Sequence, residues 1–467
     1  MQSLNDMFLK RYFIEGLAHA SYLFGADGEA AVVDPKRDVD DYLADAERAG
    51  LKITAILNSH PHADFASGFP ELAARTGAKL YTSHRAPVTY DRVTVRDGQR
   101  IRVGSLEIEM LETPGHSPDS LSFLVRESGQ PTVIFTGDLL FVNDVGRPDL
   151  RDADADPTDL ANQLYDSLFN KVLALPGGVK VYPAHGAGSL CGRALGSAPF
   201  TTVKQELLFN WAAQIKDRSE FVKQMTANLP DRPAYFAYDV GVNLRGARPF
   251  SDLPPLPTLN EAELRKAVAE GAAVIDTRSA PFFGAGHFPG SLNIGLGSAM
   301  FSTWVGFIVP GGQSIALVVG SADAAVKARL ELARIGFDNV LGCIEADTLK
   351  DTQQLSQLSV CDLKLALQRG DAPRVLDVRT PGEWEAGHIE GATHLPLPKL
   401  SARLSEVPQS QPVAVMCGSG YRSSIAASLL RANGFAQVQN VMGGMAAFQE
   451  TKCAEWQAAD LVFSPMI

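Results

Sequence analysis

Along the first half of the chain, apolar residues follow two periods in turn. Short runs such as "AAVVD" (30–34), "ITAILNS" (53–59), "LEIEML" (106–111) and "TVIFTGDLL" (132–140) have the length and β-branched content of strands. Between them, "DVDDYLADAERAG" (38–50) spaces its apolar residues three to four apart, as an amphipathic helix does. This alternation predicts a mixed α/β domain up to about Arg245, with polar candidates such as Asp64 and Asp138 at or just beyond strand ends. Loops held there by a rigid sheet commonly carry chemistry. The Pro-rich stretch "RPFSDLPPLPTLNEAEL" then reads as a domain boundary.

Beyond that boundary the sequence repeats. "AVIDTRSAPFFGAGHFPGSLNI" around Asp276 and His287 matches "RVLDVRTPGEWEAGHIEGATHL" around Asp377 and His388, both at an offset of 101 residues. Each copy continues with an apolar strand, a Gly-containing turn and a helix ending in Gly-Phe. A period this long signals tandem domains, not a solenoid. The expected division is residues 1–247, 256–352 and 355–467, since 467 residues exceed what one hydrophobic core serves.

Composition narrows the function. With 45% hydrophobic and 20% charged residues, the chain reads as globular. Its net charge of -11 comes with no basic stripe, so nucleic acid and anionic membrane are excluded as expected partners. Neither a secretory leader pattern nor a spanning apolar run is legible, which suggests a cytoplasmic protein. The five cysteines are scattered without a C-x-x-C pair, arguing against a disulfide framework and for a reducing compartment.

The C-terminal copy carries "LDVRTPGEWEAGHIEGA", "MCGSGYRS" and "NVMGGMAAF". A strand would deliver Cys417 into a Gly-rich loop, and a helix beginning near Ser423, together with Arg422, would favour thiolate. This segment resembles the rhodanese sulfurtransferases, which implies that Cys417 carries sulfur as a persulfide. Asp377 and Arg379 suit a structural ion pair. In the middle copy, aligning Phe337 with Phe435 puts Val319 opposite Cys417 and Ala324 opposite Arg422, so nucleophile and cation are both missing. Cys343 lies outside the loop and suits packing. The middle copy would serve architecture, an interface, or access to its neighbours.

The first domain shows "SHPHADF", "ETPGHSPDSLSF", "FTGDLLF" and "YPAHGAGSLCG" in that order. It resembles the metallo-β-lactamase fold family, which implies an αββα fold followed here by two tandem α/β rhodanese-like domains. In two-metal members one ion takes the equivalents of His60, His62 and His116. The other takes those of Asp64, residue 65 and His185, with Asp138 bridging. Phe65 has no lone pair, so the resemblance favours a mononuclear centre. Persulfide dioxygenases of this fold hold one Fe(II) with the equivalents of His60, His116 and Asp138, two imidazoles and a carboxylate that leave open coordination positions.

"NDVGRPDL" also resembles a segment of those enzymes, and Arg147 would bind substrate anion or pair with Asp144 or Asp149. Asp64 and His185 would orient ligands. Cys191 would pack, or pass persulfide sulfur. His62 would stand by if iron occupies the triad, and bind if zinc occupies a three-His site.

The whole resembles persulfide dioxygenase-rhodanese fusions of bacterial sulfide detoxification. That implies one Fe(II) per chain and oxidation of glutathione or CoA persulfide by O2 to sulfite. Sulfite would then take sulfur from Cys417 to give thiosulfate, and fusion would raise the effective concentration of the intermediate. A homo-oligomer is expected. Two alternatives stay open: a glyoxalase II-like zinc thioesterase, and a persulfide sensor or relay in which only Cys417 reacts.

Overall fold

The computed structural model describes residues 7–150, 156–227, 229 and 232–453, with the backbone of 461–462. The chain divides into two compact units: Met1–Pro254 with Leu332–Gly336, and Pro255–Glu331 with Phe337–Ile467. No helix among the described residues is long and apolar enough to cross a membrane.

In the first unit, a six-stranded sheet orders Phe8–Ile14, His19–Ala26, Glu29–Val33, Lys52–Leu57, Lys79–Ser83 and Val93–Val95 side by side. A second runs Thr201–Thr202, Lys180–Pro183, Gln130–Gly137, Leu121–Glu127, Leu106–Glu112 and Arg100–Val103. Period-2 alternation explains how they meet. In Leu106–Glu112, Leu106, Ile108 and Met110 are buried while Glu107 and Glu109 are only partly covered. These apolar side chains join Tyr22, Phe24, Leu57, Phe123 and Phe135 in one core between the sheets.

Leu121–Glu127 is buried on both faces. Phe123 and Val125 point into the inter-sheet core, and Leu124 packs with Leu164 of helix Pro157–Asp166. On the outer face of the first sheet, Tyr42 and Ala46 of helix Asp40–Arg48 and Leu72 of Phe69–Thr76 cover Val32 and Ile56. The four layers are therefore helix, sheet, sheet, helix. The strands read from the sequence all form, and the "DVDDYLADAERAG" helix spans Asp40–Arg48.

The second unit holds two parallel sheets. One orders Leu292–Asn293, Ala273–Asp276, Ile315–Val319 and Val340–Glu345. The other orders Thr393–His394, Arg374–Asp377, Val413–Met416 and Val438–Val441, with Ser356–Leu358 added at the edge. Both copies thus place the strand that ends in Asp276 or Asp377 between the short strand that follows it and the next long one. One cysteine expectation is corrected: Cys361, in helix Val360–Arg369, and Cys453 form a disulfide. Their separation of 92 residues in sequence hid a pairing that chain return creates.

Candidate metal centre and sulfur-carrier loop

Strand ends of both sheets deliver the polar cluster of the first unit. Asp34 follows Glu29–Val33, the 58–64 loop follows Lys52–Leu57, Asp138 follows Gln130–Gly137, and His185 lies two residues past Lys180–Pro183. Cross-sheet hydrogen bonds hold these ends together: Leu121 N–H donates to the Ser59 carbonyl at 2.8 Å and Ala20 N–H to that of Ala184 at 2.6 Å. Gly137, at φ +51, lies so close to Ser59 that a Cβ would sit 2.8 Å from it.

Within this frame His60 Nε2 and His116 Nε2 both face Asp138 Oδ2, at 3.8 and 3.6 Å. His116 Nδ1 contacts the Arg147 carbonyl at 2.9 Å. A carbonyl only accepts, so Nδ1 carries the proton and Nε2 keeps the lone pair a metal needs. Around the other oxygen, His185 Nε2 is 3.5 Å from Asp138 Oδ1 and 3.5 Å from Asp64 Oδ2. His62 Nε2 stands 3.3 Å from Asp34 Oδ1. Donor atoms lie within 4.8 Å of one another in three groups: His60, His62 and Asp138; His62, Asp64 and His185; Asp138, His185 and Cys191.

Every one of these residues is buried. Neither ring nitrogen of His185, nor His62 Nδ1, nor Asp64 Oδ1 has a hydrogen-bond partner among the described residues. Buried polar atoms left so are costly unless a cation takes their lone pairs, and imidazole with carboxylate suits a divalent transition ion. The donor set fits a metal. Burial alone would raise the Asp138 pKa, but His185, His116 and His62 outweigh it and hold the carboxyl ionised. Burial, with Asp64 and Asp138 adding to it, pushes the Cys191 thiol well above its usual range.

In the second unit, strand Val413–Met416 ends at Cys417, which is fully buried. Gly420 N–H donates to its Sγ at 3.1 Å, and Ser423 Oγ lies 3.4 Å away. Helix Tyr421–Ala432 begins two residues earlier than the sequence suggested. Gly444, at φ +56, presses against the loop, and a Cβ there would come 2.3 Å from the Cys417 carbonyl oxygen.

Residues 14–185 match the model of the Metallo-beta-lactamase superfamily, and residues 359–451 that of the Rhodanese-like domain. The hydroxyacylglutathione hydrolase of Francisella tularensis subsp. novicida (strain U112) is 34% identical over 181 residues, 38% of this chain and 68% of that protein. A crystal structure of a metallo-beta-lactamase from Staphylococcus aureus subsp. aureus COL is 31% identical, covers 75% of this chain and 100% of its own, and superposes with a TM-score of 0.66. The chain belongs to the metallo-beta-lactamase superfamily. The ETHE1 protein of Myxococcus xanthus is 32% identical, over 51% of this chain and 98% of that one, with a TM-score of 0.44.

For a superfamily member, the outcome at the predicted residues is specific. His60, His116 and Asp138 converge, and His62, Asp64 and His185 stand among donor atoms as well. Cys191 lies in the cluster itself, not in remote packing. Of the readings open for Arg147, its guanidinium forks onto Asp149, at 3.0 and 2.8 Å. Asp144 instead accepts from the Arg193 and Ala194 N–H groups and from Trp211 Nε1. Arg422 faces Glu383 with two bonds of 2.7 and 2.6 Å, and Glu383 is pulled down to about 2 chiefly by that pairing.

Three residues escaped sequence reasoning. His19, fully buried, packs against Phe65 with ring centroids 3.7 Å apart and the planes tilted by 34°. Asp34 accepts from Ser59 N–H at 2.7 Å and faces His62; its place directly after a strand was the available signal. Glu383 was legible only as the last member of the capping box opened by Thr380.

Proposed function

We propose that the metal domain is an iron(II) persulfide dioxygenase and that the C-terminal module stores and transfers sulfur on Cys417. The observation that carries this reading is the convergence of His60 and His116 on one oxygen of Asp138, while position 65 holds a phenyl ring packed on His19 and His62. His60, His116 and Asp138 would hold iron(II), which when bound would supply the redox chemistry that brings O2 to persulfide sulfur. The His116 tautomer is fixed by the Arg147 carbonyl, and Asp138 stays ionised among histidines. Burial of the cluster excludes bulk water from the reacting sulfur. Persulfide, O2 and water balance thiol, sulfite and two protons.

Glutathione or CoA persulfide, O2 and sulfite are the proposed substrates. One iron per chain, a homo-oligomer, a cytoplasmic setting and the division 1–247, 256–352 and 355–467 belong to the same proposal. Arg147 enters it through the carbonyl that orients His116, with its side chain turned to Asp149. Cys191 is the candidate for passing sulfur at the metal, and Arg422 the cation beside the carrier loop.

A second reading, a zinc thioesterase, is favoured by the likeness to hydroxyacylglutathione hydrolase and by the donor group His62, Asp64 and His185. Anaerobic purification with metal analysis, followed by an oxygen electrode and a panel of persulfides, separates the two. Iron near one per chain with O2 uptake is expected; stoichiometric zinc with thioester cleavage and no O2 uptake overturns it. Iron-loaded protein that consumes no O2 points to the sensor. His116→Ala should abolish O2 uptake while sulfur transfer persists.

A further inference from the structure

A cavity of about 770 Å³ opens beside the Cys417 loop, and both modules of the second unit wall it. The middle module contributes Gly295, Met300 and Trp304, and the C-terminal module contributes Tyr421, Arg422 and Met442. The two walls are fastened together. Tyr421 donates its hydroxyl to the Gly295 carbonyl at 3.0 Å, Ser424 donates to Asn293 Oδ1 at 2.5 Å, and Asn293 N–H donates to Ser428 Oγ at 2.9 Å. Asn293, Ser424 and Ser428 are buried, so these bonds fix the relative placement of wall and loop.

Size and charge restrict what the cavity can take. Clefts of about 300–1,000 Å³ enclose organic ligands, whereas thiosulfate, with its few atoms, would leave most of this one unfilled. Arg422 is the one lining side chain of fixed charge among the described residues, and both of its terminal nitrogens are engaged by Glu383. Glu383 balances the charge of that guanidinium, so the cavity offers a carboxylate no net positive charge, and none of its lining side chains offers an anion to an amine. Its apolar surface includes the Trp304 indole and two thioethers, Met442 being 40% exposed, and thioethers adapt to a flexible chain.

We propose that the middle module, which lacks a nucleophile, supplies the binding wall for the organic body of the sulfur donor. That donor is the persulfide of a thiol on an extended, uncharged chain such as the pantetheine arm, and Trp304 and Met300 determine its selection. The proposal rests on the reading of Cys417 as sulfur carrier. The Cys417 thiolate attacks the outer sulfur of the donor, whose S–S bond breaks. The organic thiolate leaves with the bonding electron pair, and Cys417 becomes the persulfide bearing the transferred S–H. No outside oxidant or reductant enters.

The test uses the full-length protein, sulfur transfer to cyanide above the uncatalysed rate, and two donors, pantetheine persulfide and thiosulfate. Trp304→Ala should lower the ratio of kcat/KM for pantetheine persulfide to that for thiosulfate roughly tenfold, and Trp304→Phe should restore most of it. An unmoved ratio, whether both rates fall together or neither changes, overturns the proposal. Glutathione persulfide, which carries carboxylates and an ammonium, serving the wild type as well as pantetheine persulfide also overturns it. Continued transfer from both donors by Cys417→Ser would instead sink the underlying carrier reading.

Discussion

In the middle module Arg278 grips Asp276 and reaches the Gly286 carbonyl; in the C-terminal module Arg379 grips Asp377 and reaches that of Gly387. His287 stacks on Phe283 at 3.9 Å in the first, and His388 on Trp384 at 3.6 Å in the second. Strand register agrees as well: Asp276 pairs with Val318 and Asp377 with Met416, so Val319 and Cys417 hold the same place. There the likeness stops. Around Cys417 stand the Gly420 N–H, Ser423 and the pair Arg422–Glu383, whereas the sequence places Ala325, Ala324 and Phe282 opposite Ser423, Arg422 and Glu383. The frame resists change because removing either partner of a buried ion pair leaves a stranded charge. The place after Val318 or Met416 holds a buried Val in one copy and a buried Cys in the other, without altering that frame.

The comparison can be broken or sharpened at four points. The largest effect is expected at Cys417: if it is the proposed sulfur carrier, Cys417→Ser should cut thiosulfate formation by about a thousandfold or more while O2-dependent sulfite production continues. Thiosulfate at the wild-type enzymatic rate would show that the two loops do not differ in chemistry. Next, Asp276→Ala and Asp377→Ala should each cost about 3–5 kcal/mol in denaturant unfolding. Tolerance of one within about 1 kcal/mol would show that the frames are not equivalent.

Smaller effects probe the loop. Gly444→Ala puts a Cβ against the Cys417 carbonyl at a left-handed φ, and should lower sulfur transfer about tenfold for a stability loss of about 1–3 kcal/mol. Unaltered transfer would show that Gly444 does not shape the carrier loop. Smallest is the pH response of Glu383. Its carboxyl is held down to about 2, so its stabilising pairing with Arg422 is complete above 4.5 and lost as pH falls from there towards 2. Because the side chain is 38% exposed, the contribution should stay under about 1 kcal/mol. Glu383→Gln should flatten this part of the acid stability profile; an unchanged profile would separate Glu383 from it.

Much of the fold was legible because it is written in periodicity. "LEIEML" alternates and becomes a strand packed on one face, and "DVDDYLADAERAG" becomes a helix over Asp40–Arg48. The candidate site was legible where a potential donor lies just beyond a strand end, as with His60 and Asp138. It was not legible where distant segments meet. His19 and Phe65 are far apart in sequence yet packed ring against ring, and Cys361 and Cys453 are joined from the two ends of one module.

Sequence by itself determined which side chains can give lone pairs or attack sulfur: imidazoles at 60, 62, 116 and 185, no imidazole at 65, a thiol at 417 and none at 319. Those are matters of covalent identity, and folding cannot supply a missing donor. Tertiary structure decided what each group faces: Asp149 for Arg147, Glu383 for Arg422, Asp138 and His185 for Cys191, and Trp304 and Met300 of the middle module for the cavity beside Cys417. Partnership depends on chain crossings and sheet register, which bring residues together across long separations that local patterns do not encode.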